Sequence, residues 1–213
     1  SIQGFSQAVL DGATGTEEEL RESVRIIHDE ANRMGALVDD LLLLGQIESG
    51  QAEMQHAHVD LTELLERTVE RFQWTLRENR IHAAVRIQQL PTVHGDARRL
   101  EQVFSNLLQN AVRHTPPDGT VTVRASAESG GTLTVGVHNT GSYIPPEDLP
   151  RVFERFFQVD RARARKGGSS GLGLSIVSEI IEAHGGSVRA TSDAASGTEF
   201  IVTLPAAAAP ESR

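Results

Sequence analysis

The sequence predicts an α+β protein: a helical hairpin, expected to pair with a second copy as a dimeric four-helix bundle, followed by a two-layer α/β sandwich. Three observations predict it. Leu20, Val24, Ile27, Ala31, Met34, Val38 and Leu41 alternate steps of four and three, which is a heptad seam. Beyond residue 58 the pattern changes to separate amphipathic helices and alternating strands. In that second part helices lead and strands are mostly adjacent, which argues for one helical layer on one sheet. A chain of 213 residues, 38% of them hydrophobic, can build this as one large domain or two small ones.

The hairpin begins with a short amphipathic stretch marked by Ile2, Phe5 and Val9, broken by "DGATG" (11–15). Thr16 and Glu19 form a capping-box pattern that starts the seam helix. Leu37 and Leu44 widen the apolar face beyond what one partner helix needs. Two short antiparallel helices cannot bury it, so a second copy is expected; the alternative is packing against the second domain. "GQIESGQAEMQHAH" (45–58) is polar with two glycines and reads as a linker. Asp60 caps a helix to about Asn79, "IHAAVRI" (81–87) alternates as a strand, and "GDARRLEQVFSNLLQNAVRHT" is a helix after a short loop. "GTVTVRAS" (119–126) and "TLTVGVHN" (132–139) are strands about a "SGG" turn. Residues 140–170 are loop-rich with a short helical piece near "PEDLPRVFERF". A Gly-rich turn, a helix over 172–184 and strands over 187–192 and 198–205 follow, and the Ala-rich tail reads as frayed. The expected domains are therefore the hairpin 1–50, a linker 51–57, an α/β domain 58–205 and a tail 206–213.

Bulk properties narrow the function. The net charge is −9 and no basic patch is dense enough to make nucleic acid the main partner. There is no cysteine, hence no disulfide framework and no thiolate metal site, and a reducing compartment fits. No apolar run approaches the roughly 18 residues of a membrane span, and no signal-peptide pattern is present. Lys166 is the only lysine among many arginines, read as a composition bias.

The informative residues are polar ones in apolar settings. "FSNLLQNAVRHT" (104–115) is an apolar helix, yet Asn106 and Asn110 lie four residues apart on one face. Asparagine is a mediocre helix former, and a buried amide without partners costs about 1–3 kcal/mol. Three further spots accompany the pair: "HNTGSYIP" (138–145), where a strand ends in an amide and a glycine; "GGSSGLGLSIV" (167–177), a glycine loop entering a helix; and "SGTEF" (196–200), a glycine turn entering a strand. Glycines before a helix let backbone N–H groups close on phosphate, and the helix N-terminus adds partial positive charge.

In order and spacing, Asn106-x-x-x-Asn110, Asn139-x-Gly141, Phe153-x-x-Phe156, Gly171-Leu-Gly-Leu and Gly197-Thr198 resemble the N, G1, F, G2 and G3 boxes of bacterial two-component sensor histidine kinases. That family shares its nucleotide-binding fold with gyrase, a heat-shock chaperone and mismatch-repair ATPases, and the resemblance covers nearly the whole chain. It implies a dimerisation and phosphotransfer hairpin followed by a catalytic ATP-binding domain. It implies ATP and Mg²⁺ as cofactors, with Asn110 as the metal ligand through its amide oxygen. Asn106, one turn earlier, stands where related ATPases carry a water-activating glutamate; an amide cannot act as that base. Arg113 and His114 match positions that contact phosphate or sugar. The ATP site so implied comprises Asn106, Asn110, Arg113, His114, Asn139, Gly141, Ile144, Phe156, Arg163, Lys166, Gly168, Gly171, Leu172, Gly173, Leu174 and Thr198.

Two positions depart from the family pattern. Asn139 replaces the G1 aspartate that accepts from the adenine amine; its carbonyl accepts without the charge. Gln158 stands where many relatives carry an arginine, and Arg155, Arg161, Arg163, Arg165 or Lys166 is expected to supply that charge. The family's His-Glu-x-Arg-x-Pro acceptor box is absent, so the acceptor is expected upstream of Ser1, and His28 reads as an ordinary helix histidine. The implied reaction passes the γ-phosphoryl of ATP to that histidine and then to a response-regulator aspartate. The implied setting is a cytoplasmic domain whose parent is membrane-anchored, with a homodimer and a response regulator as partners. His184 ends a helix, where a cationic ring would suit the dipole. Trp74 and Tyr143 read as packing aromatics. Two rivals are a nucleotide-binding scaffold without kinase activity and a serine kinase of the anti-sigma type, the latter opposed by the long heptad seam.

Overall fold

The computed structural model describes residues 2–13, 15–159 and 170–207. Two compact units divide the chain, Ser1–Gln46 and Ile47–Arg213. The first holds α1 (Ile2–Leu10) and most of α2 (Glu17–Glu48). The expected capping box starts α2: the Glu19 N–H donates to Thr16 Oγ1 and the Thr16 N–H to Glu19 Oε2, each at 3.2 Å. Glu17, Glu18 and Glu19 place negative charge at the positive end of the helix. The helix passes through Gly45, where a linker was expected, and runs to Glu48. One glycine costs a helix only about 1 kcal/mol, too little to break 32 residues. The stop comes where the Gly50 N–H closes on the Ile47 carbonyl at 3.0 Å. Most of the heptad seam is exposed in the single chain, Val24, Met34, Val38 and Leu41 included.

The second unit contains β1 (Ala57–Val59), α3 (Leu61–Glu78), β2 (His82–Ile87), β3 (Val93–Gly95), α4 (Ala97–His114), β4 (Thr120–Glu128) and β5 (Thr132–Asn139). After a 3₁₀ turn, Leu149–Arg151, come α5 (Gly173–Ala183), β6 (Ser187–Asp193) and β7 (Gly197–Pro205). The five-stranded sheet has the order β2-β4-β5-β7-β6; β2 and β4 run parallel and the other neighbours antiparallel. Alternate residues of the central strands, Val121 and Val123, Val135 and Val137, Phe200 and Val202, are buried against the helices. α4 is the central helix, packed between α3 and α5 and on β5. It buries Leu100, Val103, Phe104, Leu107, Leu108 and Ala111.

Caps set the helix starts. Asp60 accepts from the Glu63 N–H at 3.0 Å at the start of α3, as expected. Asp96 accepts from the N–H groups of Arg98 and Arg99 at 2.9 and 3.1 Å and so opens α4. The helical piece expected near "PEDLPRVFERF" is only the 3₁₀ turn. Pro150 has no N–H to continue an i→i−4 ladder, and Phe156 has a positive φ of 61°. β1 and β3 form a small antiparallel ladder that sequence patterning did not anticipate. The tail is tied down at its start, where the N–H groups of Ala206 and Ala207 donate to the carbonyls of Gly131 and Thr92. Trp74 does not pack in the core: it is 70% exposed on α3, and Tyr143 is exposed as well. No described helix is long and apolar enough to cross a membrane.

Candidate functional site

The geometry of the candidate site is organised along one face of α4. Asn106 is half-buried, and its Nδ2 donates to the Gly173 carbonyl at 3.3 Å, which ties α4 to the first turn of α5. Eight residues later the His114 carbonyl accepts from Asn139 Nδ2 at 3.5 Å, which ties the end of α4 to the end of β5. Asn110 lies midway, half-buried, with no hydrogen-bond partner among the described residues. At 1.5 Å per residue the two ties are roughly 12 Å apart along the helix. The asparagine pair is thus a structural tie at one position and an open amide at the other.

Sheet register brings the G1 and G3 segments together. Asn139 and Thr198 are direct partners across β5 and β7. Both are 1% exposed. Gly197 makes the approach possible: its φ is 103°, and a Cβ there would lie 2.1 Å from the Asn139 carbonyl oxygen. Thr198 Oγ1 lies 3.0 Å from Ser142 Oγ and 2.8 Å from Ser192 Oγ, and the Ile144 N–H donates to Ser192 Oγ at 2.9 Å. Gly141 sits in the turn between Asn139 and Ser142 against Pro116.

The glycine loop meets the F-box turn at a second close approach. The Phe156 N–H donates to the Gly171 carbonyl at 2.9 Å. Gly171 has φ 73°, and a Cβ would lie 2.8 Å from Phe156 Cα. Leu172 is fully buried, and Leu174 is half-buried. No side chain of the described residues caps the α5 N-terminus, where the first N–H groups and the positive end of the helix dipole favour an anionic acceptor.

The remaining expected residues divide. Arg113 and His114 are exposed in the last turn of α4, and Ile144 is half-buried beside the Ser192 hydroxyl. Phe156 is exposed and takes part through its backbone. Arg161, Arg163, Arg165, Lys166 and Gly168 lie outside the described residues. Arg155 pairs with Glu48 at 2.6 Å and Glu179 at 3.4 Å. Hydrogen bonding to Glu48 is the main reason its guanidinium is held even more firmly charged than usual.

Sequence reasoning missed Ser142 and Ser192. Ser192 was findable, because the turn "DAASG" places it opposite Thr198 in a β-hairpin. It also misread His184. The ring is 7% exposed, its Nδ1 donates to the Ile180 carbonyl at 2.7 Å, and its Nε2 accepts from the Asp96 N–H at 3.0 Å. A carbonyl cannot donate and an N–H cannot accept, so this ring is neutral rather than a cation at a helix end. Burial is the chief cause that pushes its pKa down, and nearby His56 adds to it. His56 lies tilted against it with ring centroids 5.8 Å apart, His94 stacks on His56 at 5.4 Å, and His58 meets His94 edge-on at 5.8 Å. Burial alone would raise the Asp96 carboxyl, but the N–H groups of Gln55, Arg99 and Arg98 outweigh it and hold the carboxyl low.

Comparison with known proteins agrees with this architecture. Residues 95–208 match the family described as histidine kinase-, DNA gyrase B-, and HSP90-like ATPase, and residues 1–50 match the His Kinase A phospho-acceptor domain. The chain is 38% identical to the sensor histidine kinase CusS of Escherichia coli over 191 residues, 90% of this chain and 39% of that protein. Full-length ShkA, solved with AMPPNP, superposes with a TM-score of 0.77 at 32% identity, over 91% of this chain and 40% of that one. ThkA, solved with the response regulator TrrA, superposes with a TM-score of 0.76 at 27% identity, over all of this chain and 58% of that one. The chain thus spans about two fifths of CusS and of ShkA. It belongs to the histidine kinase-, DNA gyrase B- and HSP90-like ATPase family, and within that family it is the core of a two-component sensor histidine kinase.

Proposed function

We propose that this chain binds ATP with Mg²⁺ along α4 and delivers the γ-phosphoryl group to a histidine, from which it passes to an aspartate of a response regulator. The observation that carries the reading is the open amide of Asn110, midway between the uncapped start of α5 and the buried Asn139. The base end lies at Asn139 and Thr198, and the phosphate end at Asn106, Gly171, Leu172, Gly173 and Leu174. Arg113 and His114 flank the sugar and phosphates. The AMPPNP held by ShkA and the regulator held by ThkA support the nucleotide and the partner.

The residues present fit Mg²⁺. Asn110 Oδ1 is a hard oxygen donor, and the described residues hold no cluster of three or more His, Asp or Glu placed to cage a metal. Asn110 would hold the metal through Oδ1, and the metal would supply positive charge against that of the phosphates. The rest falls to positioning. The α5 N–H groups orient the phosphates, and Asn106 ties α5 to α4 without offering a base to water. Transfer to protein is thereby favoured over hydrolysis.

The exposed seam of α2 supports a homodimer, and nothing in the charge pattern supports nucleic acid as a partner. The proposed setting is the cytoplasmic part of a membrane-anchored sensor. His28 is not the acceptor in this reading: it is exposed on the second helix and hydrogen-bonded to Asn32 at 3.0 Å. A misplacement of 1 Å can cost about 10²-fold. The chain should therefore bind ATP but not label itself from γ-labelled ATP. Extension by a His-Glu-x-Arg-x-Pro segment should restore a label that is stable to base and labile to acid. ATP binding without labelling of the extended chain would favour a nucleotide-binding scaffold instead. A label on the unextended chain, abolished by His28→Ala, would overturn the assignment of the acceptor.

A further inference from the structure

The buried amide of Asn139 is held one way round. Its Nδ2 donates to Ser142 Oγ at 2.8 Å, to the Thr140 carbonyl at 3.3 Å and to the His114 carbonyl at 3.5 Å. Two of these acceptors are carbonyls, which cannot donate, so a flipped amide would set oxygen against oxygen. The Ser142 hydroxyl accepts from the amide N–H and donates in turn to Thr198 Oγ1 at 3.0 Å. The Thr198 hydroxyl closes the ring on the Ser142 carbonyl at 3.2 Å. Ser192 Oγ braces Thr198 from the neighbouring strand and is itself held by the Ile144 N–H. The Thr198 hydroxyl is spent on the Ser142 carbonyl, so Thr198 Oγ1 accepts from Ser142 Oγ and the Ser142 hydroxyl meets the amide only as an acceptor; at 2.8 Å it is the shortest of the three contacts that hold the amide.

The other end of the amide is different. Asn139 Oδ1 accepts from no protein group among the described residues. No fully buried side-chain polar atom among them lacks a partner, so Oδ1 is not fully enclosed by protein. The side chain is thereby divided into a donor end anchored in protein and an acceptor end presented outward.

We infer that Ser142 is a specificity-determining positioning residue: through Thr198 and Ser192 it locks the Asn139 amide with Oδ1 outward, so that an uncharged group selects a purine carrying a 6-amino donor over one carrying a 6-oxo acceptor. The inference rests on the nucleotide-binding reading above. A carboxylate presents an acceptor whichever way it turns. An amide discriminates only while it cannot turn, because its nitrogen would welcome a 6-oxo group. The family pattern has no need of such a lock; this chain, with Asn139 in place of the acid, does.

The test is calorimetric titration of the full chain with Mg²⁺-ATP and with Mg²⁺-ITP, whose bases differ in the 6-substituent and in the proton that the 6-oxo form carries on N1. The wild-type chain should bind ATP about tenfold tighter or more, since a mismatch leaves facing acceptors unpaired. Ser142→Ala should reduce that ratio to about threefold or less, and Ser142→Thr, which keeps the hydroxyl, should restore it. Ser142→Ala should also melt lower than wild type, because the buried Asn139 amide and Thr198 hydroxyl lose a partner, but a merely structural loss would weaken both nucleotides equally and leave the ratio alone. A wild-type chain that binds ATP but does not discriminate, or a Ser142→Ala chain that keeps the full ratio, overturns the inference. A wild-type chain that binds neither nucleotide overturns the nucleotide-binding reading itself, a distinct result.

Discussion

The two units solve the burial problem in opposite ways. On α2, Val24 is 51%, Met34 56% and Val38 54% exposed, although all three belong to the heptad seam. On α4 the residues of the apolar stripe, Leu100, Val103 and Leu107, are fully buried against neighbours from the same unit. A helix with an exposed apolar seam completes its core only with another chain. A helix like α4 needs none. The second unit therefore completes its core within one chain, while the first leaves an apolar seam on its surface.

The largest expected effect breaks the self-sufficient side. Leu107→Ala leaves a cavity at the centre of the α4 stripe and should cost about 2–5 kcal/mol. Hydrogen exchange should show the loss of protection confined to Ile47–Arg213, with association through α2 retained. Loss of protection throughout the chain would show that the units are one cooperative whole.

Next comes the associating side. Leu41→Glu puts a charge into the seam at a position 43% exposed in the single chain. Burial there is worth roughly 25 cal/mol per Å², so sedimentation at tens of micromolar should shift from dimer to monomer. Nucleotide affinity should not change. A wild-type chain that sediments as a monomer at that concentration would remove the basis for the bundle.

A smaller effect sharpens the comparison within the second unit. His184 is neutral in the fold, with its pKa pushed down by burial first. An unfolded histidine titrates near 6.5, so below that value the unfolded chain binds the extra proton. The stabilisation by the neutral ring is therefore complete above about pH 6.5 and lost as pH falls towards the lower folded value. Asp96, whose pKa is also lowered, acts in a separate and more acid window, below about pH 4. Melting of the second unit should therefore decline between pH 7 and 5.5. His184→Gln, which can accept from the Asp96 N–H and donate to the Ile180 carbonyl, should flatten that decline. An unchanged slope in the variant would show that the His184 ring does not carry the decline.

Much of this was legible in the sequence, for physical reasons that differ by element. The capping box at Thr16 and Glu19, the Asp60 cap and the 3.6-residue stripe of α4 are local signals, and they agree with the structure. β4, β5 and β7 alternate cleanly because one face is buried. β1 and β3 were not legible: three residues each, carrying His58 and His94, are too short to show a period. The run around Leu149 looked helical because its apolar spacing outweighed Pro150. His184 was misjudged because helix position suggests a charge, whereas the Asp96 N–H that fixes the ring comes from 88 residues away. Of the site, box order gave Asn106, Asn110, Asn139, Gly171 and Thr198. The role of Ser142 depends on which way an amide points, which only the fold displays.

The most direct test of the account is a calorimetric titration of Mg²⁺-ATP into the chain and its Asn110→Ala variant. Asn110 has no hydrogen-bond partner among the described residues, so the substitution breaks no hydrogen bond there and should leave thermal unfolding of the nucleotide-free chain unchanged. The account predicts that the wild-type chain binds and that the variant loses at least about tenfold in affinity, or 1.4 kcal/mol, in Mg²⁺. Equal binding by the two chains would contradict the placement of metal and phosphates along α4.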